Sequence, residues 1–215
     1  ADLDWIAELA AERGLDVLAI SPFAGEALPR TQTVEAAIVL GGPMSAQDTG
    51  AHPFLVEEQK WMLDLVDAGT PVLGICLGSQ LLAGALGGGV EVGEAGLEWG
   101  MVSVRSEPGV THPLGPDLAG TAFAFHSDTF RLPHGATVLA RTDRYVQAWA
   151  LGSAVAIQFH PEISPSGVQS LVDHEGRKLT AAGVDGPAMV RDAWSRREES
   201  RAAARRIIGG WLDLP

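Results

Sequence analysis

Apolar and polar positions recur along this chain with periods that change from segment to segment, and each period predicts a different element. Residues 3–13 carry the spacing of an amphipathic helix that stops at Gly14, where a left-handed cap is favoured. Residues 16–20 and 36–40 are short strands, the second a nearly continuous apolar run of the kind buried in a parallel sheet. Helical spacing returns over 53–68, with Pro53 near the first turn and Gly69 just past the end. A further buried strand is predicted over 71–75 and a helix over 78–86. Strand, helix and strand in this order call for parallel strands with crossover helices on both faces.

After residue 86 the pattern breaks into short strands separated by turn residues: 90–92, 100–104, 122–125, 138–140, 146–150 and 154–158. They predict antiparallel additions to the sheet. Helices over 167–182 and 188–212 close the chain. The expectation is an α/β fold with a mainly parallel central sheet, helices on both faces and added antiparallel strands. Such a domain normally opens with a strand, whereas this chain opens with a helix, so a first strand is expected before residue 1. No Pro/Gly/Ser-rich linker and no repeat divides the sequence, which reads as one domain over 1–215.

A formal charge of −12 and a pI near 4.8 argue against a nucleic-acid partner, whose phosphates would be repelled. Arg191, Arg196, Arg197, Arg201, Arg205 and Arg206 lie among Asp192, Glu198 and Glu199, as on a solvated helix with i,i+4 ion pairs. No apolar run approaches the roughly 18 residues of a membrane span, and residues 1–4 lack the basic and apolar regions of a signal peptide. A cytoplasmic protein without a membrane partner is expected. The single cysteine cannot form an internal disulfide. The histidines and carboxylates lack paired zinc-motif spacing, and there is no Gly-x4-Gly-Lys-Ser/Thr phosphate loop, so neither a metal nor a cofactor is expected. His112 and His134 each stand next to a proline in turn-like sequence and read as loop residues.

That one cysteine sits in Gly74-Ile75-Cys76-Leu77-Gly78, at the end of a predicted buried strand and directly before a helix. Glycines at −2 and +2 permit the sharp strand-to-helix turn that displays a nucleophile, and the helix N-terminus favours the reactive thiolate. A lone cysteine is usually a small buried hydrophobe. The glycine spacing argues otherwise. His160 closes the apolar strand ending at Phe159, and Pro161 biases it toward an extended backbone. Side chains two apart in an extended segment point the same way, so Glu162 can hold the imidazole while Cys76 meets its other nitrogen. Gly41-Gly42-Pro43 ends the neighbouring strand and can expose the Gly42 N–H as one oxyanion donor, with Leu77 N–H as the second.

Three segments, Gly41-Gly42-Pro43-Met44-Ser45, Gly74-Ile75-Cys76-Leu77-Gly78-Ser79-Gln80 and Gln158-Phe159-His160-Pro161-Glu162, together resemble the class I, triad-type glutamine amidotransferases. The overall look is similar to stand-alone relatives of the GMP synthase glutaminase domain. The resemblance implies a flavodoxin-like three-layer fold and hydrolysis of glutamine to glutamate and ammonia. It implies Cys76 as nucleophile forming a thioester, His160 as proton carrier, Glu162 as its orienting residue and Gln80 as a contact to the amino acid end of the substrate. His126-Ser127-Asp128-Thr129-Phe130 resembles the family's loop beside the substrate. Ser127 is read as a substrate contact, and His126 either as one or as a structural histidine. The sequence supplies no acceptor domain, so delivered ammonia would require a separate synthetase subunit. Two alternatives stand beside this reading: a γ-glutamyl amide or peptide hydrolase using the same triad, and a non-catalytic binding protein on the same fold.

Overall fold

The computed structural model describes residues 3–214. Nine strands form two sheets. β1 (Ala37–Val39), β2 (Val72–Ile75) and β9 (Ala154–Ile157) run parallel. β8 (Val146–Leu151), β7 (Thr137–Arg141), β4 (Glu98–Ser106) and β5 (Gly120–His126) extend the sheet antiparallel, in the order β1-β2-β9-β8-β7-β4-β5. The sheet curls until its far strand returns to the parallel part: His160, just past β9, donates its N–H to the Phe123 carbonyl of β5 at 2.7 Å. A separate pair joins β3 (Gly89–Val92) to β6 (Asp128–Arg131).

Both faces of the parallel strands are covered, because successive side chains of a strand point to opposite sides. Val72, Ala154 and Ala156 pack with Leu55 and Met62 of α2 (Phe54–Asp67) and with Leu81 of α3 (Leu77–Ala85). Leu73, Ile75, Val155 and Ile157 face the other way, toward Ile207 and Trp211 of the C-terminal helix. The arrangement is the expected three-layer α/β fold. No helix among the described residues is long and apolar enough to cross a membrane.

Several expectations differ from the structure, among them that of residues 154–158: expected as an antiparallel addition, the segment pairs with β2 in parallel as β9. Residues 16–20 form no strand: the segment is irregular, and Val17 and Leu18 are 48% and 76% exposed. β1 is the edge of the sheet and no strand lies beside this segment among the described residues, so its backbone has no ladder to join. The strand expected before residue 1 lies outside the described residues. The expected helix over 188–212 is broken at Arg196 into α5 (Gly186–Ser195) and α6 (Arg197–Ala204), which runs on through a π-turn at Arg205–Gly209. α5 packs on α4 (Pro165–Ala181), whereas Ala204 and Ile208 pack on α1 (Asp4–Glu12), and one straight helix would not serve both contacts. β6 was read as loop because it is short and its pairing with β3 is remote in sequence.

The C-terminal arginines are only partly paired along their own helices. Arg196 meets Asp192 and Glu199, but Arg201 and Arg205 reach Glu8 and Glu12 of α1, and Arg13 reaches Asp213. Such exposed pairs are screened by solvent and contribute little to stability. They set the register of two helices more than they hold the fold.

The layers approach most closely where α3 leaves β2. A Cβ on Gly78 would stand 2.0 Å from the Val39 carbonyl oxygen of β1, and one on Gly74 would stand 2.5 Å from the Gly78 carbonyl oxygen. Both obstacles are backbone and cannot swing away. Gly78→Ala should therefore destabilise the protein by about 3 kcal/mol or more, read as a lower urea midpoint. A second prediction concerns α2, where burial without an offsetting hydrogen bond or ion pair pushes Glu58 up to about 7 from the ordinary 4.5. The native state binds this proton more tightly than the unfolded chain, so stability falls as pH rises from 4.5 through 7. Glu58→Gln should raise the melting temperature at about pH 8 and leave it unchanged at about pH 4.

Candidate active site

Cys76 occupies the turn between β2 and α3 with φ 52° and ψ −110°, a left-handed conformation that non-glycine residues rarely adopt. The surroundings enforce it. Cys76 N–H donates to the Ile157 carbonyl at 2.8 Å, and the Cys76 carbonyl accepts from Ser79 N, Gln80 N and Ser79 Oγ at 3.0, 3.2 and 2.6 Å. The side chain is thereby displayed at the mouth of the parallel strands while the residue stays 8% exposed.

His160 Nδ1 lies 2.8 Å from Glu162 Oε1, and the ring and the Cys76 sulfur both border Gly41. Both members of the His160 and Glu162 pair are nearly excluded from solvent. Glu162 is held in turn: its carbonyl accepts from Trp5 N at 3.1 Å, and two residues on Ser164 caps α4 by accepting from Gly167 N. Its Oε2 is buried without a partner. The predicted Cys76, His160 and Glu162 are thus brought together, with His160 bonded to Glu162 and the Cys76 sulfur beside the ring.

The two glycines before Pro43 divide the work. Gly41 lies against this group, since a Cβ there would sit 3.1 Å from His160 Cε1 and 3.8 Å from Cys76 Sγ. Gly42, the predicted oxyanion residue, turns its open side to Met44 Sδ and Leu77 Cδ2, at 2.7 and 2.9 Å from such a Cβ. Leu77 N–H belongs to the first turn of α3, where backbone donors have no intrahelical acceptor. Gly41 was missed because Gly-Gly-Pro alone does not say which glycine faces the sulfur.

Gln80 is buried one turn after Cys76, and its Nε2 donates to the Asp128 carbonyl at 3.1 Å and to Gln158 Oε1 at 3.3 Å. Ser127 is half-buried; its carbonyl accepts from Gly93 N at 2.8 Å and its hydroxyl has no partner among the described residues. His126 has both ring nitrogens occupied within the protein, Nδ1 by the Asp128 carbonyl at 3.0 Å and Nε2 by Glu98 Oε2 at 3.1 Å. Asp128 also clasps the glycine loop, its Oδ2 accepting from Ser45 Oγ at 2.7 Å. Sequence reasoning missed Glu98. A signal was present: in Glu98-Trp99 the acid points inward and the tryptophan outward, the reverse of an ordinary half-buried strand.

The charges of this group are coupled. Burial opposes protonation of His160, but the Glu162 carboxylate and the Cys76 sulfur outweigh it and hold the ring well above its ordinary 6.5. Protonated His160 therefore favours the folded state; its contribution is complete below 6.5 and is lost as pH rises through the raised value. Glu162→Gln removes the largest upward influence. In urea unfolding from about pH 6 to pH 9, the wild type should lose stability with pH and the variant should lose less; parallel profiles would contradict the coupling.

Comparison with known proteins places this geometry. The profile of the family described as "Glutamine amidotransferase class-I" matches residues 4–175. The glutamine amidotransferase-like protein YfeJ of Salmonella typhimurium is 32% identical over 196 residues, covering 85% of this chain and 78% of that protein. A glutamine-hydrolyzing GMP synthase of Leifsonia xyli is 37% identical over 139 residues, covering 60% of this chain but only 26% of that protein. The chain therefore spans about a quarter of that synthase's length. Among solved structures, a glutamine amidotransferase from Thermotoga maritima superposes with a TM-score of 0.89 at 26% identity, over 99% of this chain and 94% of that one. One from Methylobacillus flagellatus shares the fold with a TM-score of 0.86 at 24% identity, over 98% and 89%. This chain belongs to the class I glutamine amidotransferase family.

Proposed function

We propose that this chain, acting as one domain, hydrolyses the side-chain amide of glutamine with Cys76 as nucleophile, His160 as proton carrier and Glu162 as the carboxylate that orients it. The observation that carries the reading is the bonded His160–Glu162 pair set beside a Cys76 held at a strained strand-to-helix turn. Membership of the amidotransferase family supports it.

Each step uses a group already in place. The Cys76 sulfur bonds to the amide carbon, and the carbonyl electron pair moves onto oxygen, where Leu77 N–H and Gly42 N–H receive the charge. The C–N bond then breaks, and the nitrogen takes the proton from His160 and leaves as ammonia. A thioester remains on Cys76. Water, deprotonated by His160, attacks that carbon; the C–S bond breaks and glutamate departs. The net change is one water consumed for one ammonia released.

At the amino acid end, Gln80 presents Oε1, since its Nε2 is spent on Asp128 and Gln158. An acceptor there suits the α-ammonium of glutamine, and the free Ser127 hydroxyl completes the contact. The ammonia is passed to a nitrogen acceptor, a reading supported by the glutamine-hydrolyzing synthases among the relatives. With glutamine supplied to the purified chain, glutamate release should be measurable and should fall by about a thousandfold or more in Cys76→Ala. His160→Asn should cost about 10²- to 10⁴-fold. Equal turnover by Cys76→Ala would sink the proposal.

A further inference from the structure

A second buried histidine–carboxylate pair lies beside the first and plays no part in the chemistry above. Glu98 on β4 and His126 on β5 are direct cross-strand partners. Glu98, His126, Gln147, Gln158 and Gln80 are each no more than 5% exposed, although all are polar or charged. Side chains of these kinds are seldom fully buried unless they are paired, and here only Gln147 Oε1 and Gln158 Nε2 are buried without a partner among the described residues of this cluster.

The direction of every bond in this network follows from chemistry. A carboxylate only accepts, and Glu98 takes Thr142 Oγ1 at 2.8 Å, Gln147 Nε2 at 2.6 Å and His126 Nε2 at 3.1 Å. Hydrogen bonding from His126 and Thr142 overrides burial and holds Glu98 below the usual carboxylate range. Nδ1 of the same ring faces the Asp128 carbonyl, also an acceptor. The ring thereby ties the Glu98 carboxylate to the Asp128 carbonyl. The same carbonyl takes Gln80 Nε2, and the other hydrogen of that nitrogen goes to Gln158 Oε1. Turning the Gln80 amide over would set its oxygen against the Asp128 carbonyl oxygen, which can only accept.

We propose that Glu98 and His126 are positioning residues for substrate recognition: through the Asp128 carbonyl they fix which way the Gln80 amide faces, and so present Gln80 Oε1 to the α-ammonium of the substrate. The inference rests on the glutaminase reading and deepens it. Asp128 carries the effect to the opposite wall as well, because its carboxylate holds Ser45 of the loop that lines Cys76 and His160.

The test compares L-glutamine with glutaramate, which has the same amide and carboxylate but no α-amino group, on wild type, Glu98→Gln and Thr142→Val. In Glu98→Gln, KM for L-glutamine should rise about tenfold or more with kcat changing far less, and the preference for L-glutamine over glutaramate in kcat/KM should shrink by about the same factor. The rate at which iodoacetamide labels Cys76 should stay within about twofold, since Cys76, His160 and Glu162 are untouched. Thr142→Val, a near-isosteric loss of one donor, should move KM and preference the same way by less, and it carries the test if Glu98→Gln does not fold. An unchanged preference in the folded variants, or a labelling rate that falls in step with it, overturns the positioning role. Wild type that is labelled at Cys76 yet hydrolyses neither amide overturns the glutaminase reading and this proposal with it, an outcome visible before any variant is made.

Discussion

Everything at the site depends on how closely α3 passes the ends of β1 and β2. The contact leaves no space for a side chain at Gly78 against the Val39 carbonyl, or at Gly74 against the turn itself. Once that approach is made, the chain between the two glycines has to reverse within a residue or two, and Cys76 is driven to positive φ. The strain is of order 1–3 kcal/mol, and three hydrogen bonds to the Cys76 carbonyl together with one from its N–H oppose its relaxation. A nucleophile displayed in this way needs no rearrangement before it reacts.

The curl of the sheet supplies the second constraint. β5 is the last strand of the sheet order, yet it bonds His160 through Phe123 and carries His126 at its end. One strand therefore fixes both histidine–carboxylate pairs. The pairs differ in what surrounds them. Glu98 is saturated by three donors, and its histidine is locked between two acceptors. Glu162 has one oxygen unpartnered, and its histidine faces a sulfur that can exchange a proton. The first pair has little freedom to rearrange, whereas the second keeps an unused acceptor.

What was legible in the residues alone was local. Gly74-x-Cys76-x-Gly78 and His160-Pro161-Glu162 each place their groups through backbone geometry within five positions, so spacing was enough to bring out the elbow and the His160–Glu162 bond. Periodicity likewise located β1, β2 and the helices on both faces, because burial on two sides leaves continuous apolar runs, but it did not show that β9 joins β2 in parallel. The failures were of another kind. Residues 16–20 have the composition of a strand but no neighbour to bond, and the helix over 188–212 has continuous propensity but two different surfaces to cover.

The partnership of Glu98 with His126, the clasp of Ser45 by Asp128 and the choice of Gly41 over Gly42 against Cys76 all join segments far apart in the chain. Each depends on strand register and sheet curl, and a one-residue slip would turn the same side chains to the opposite face. Sequence alone thus determined how Cys76 is displayed and how Glu162 meets His160, since both are set by short-range backbone geometry. Tertiary structure decided what surrounds them, because that depends on hydrogen bonds whose partners are chosen only when the sheet closes.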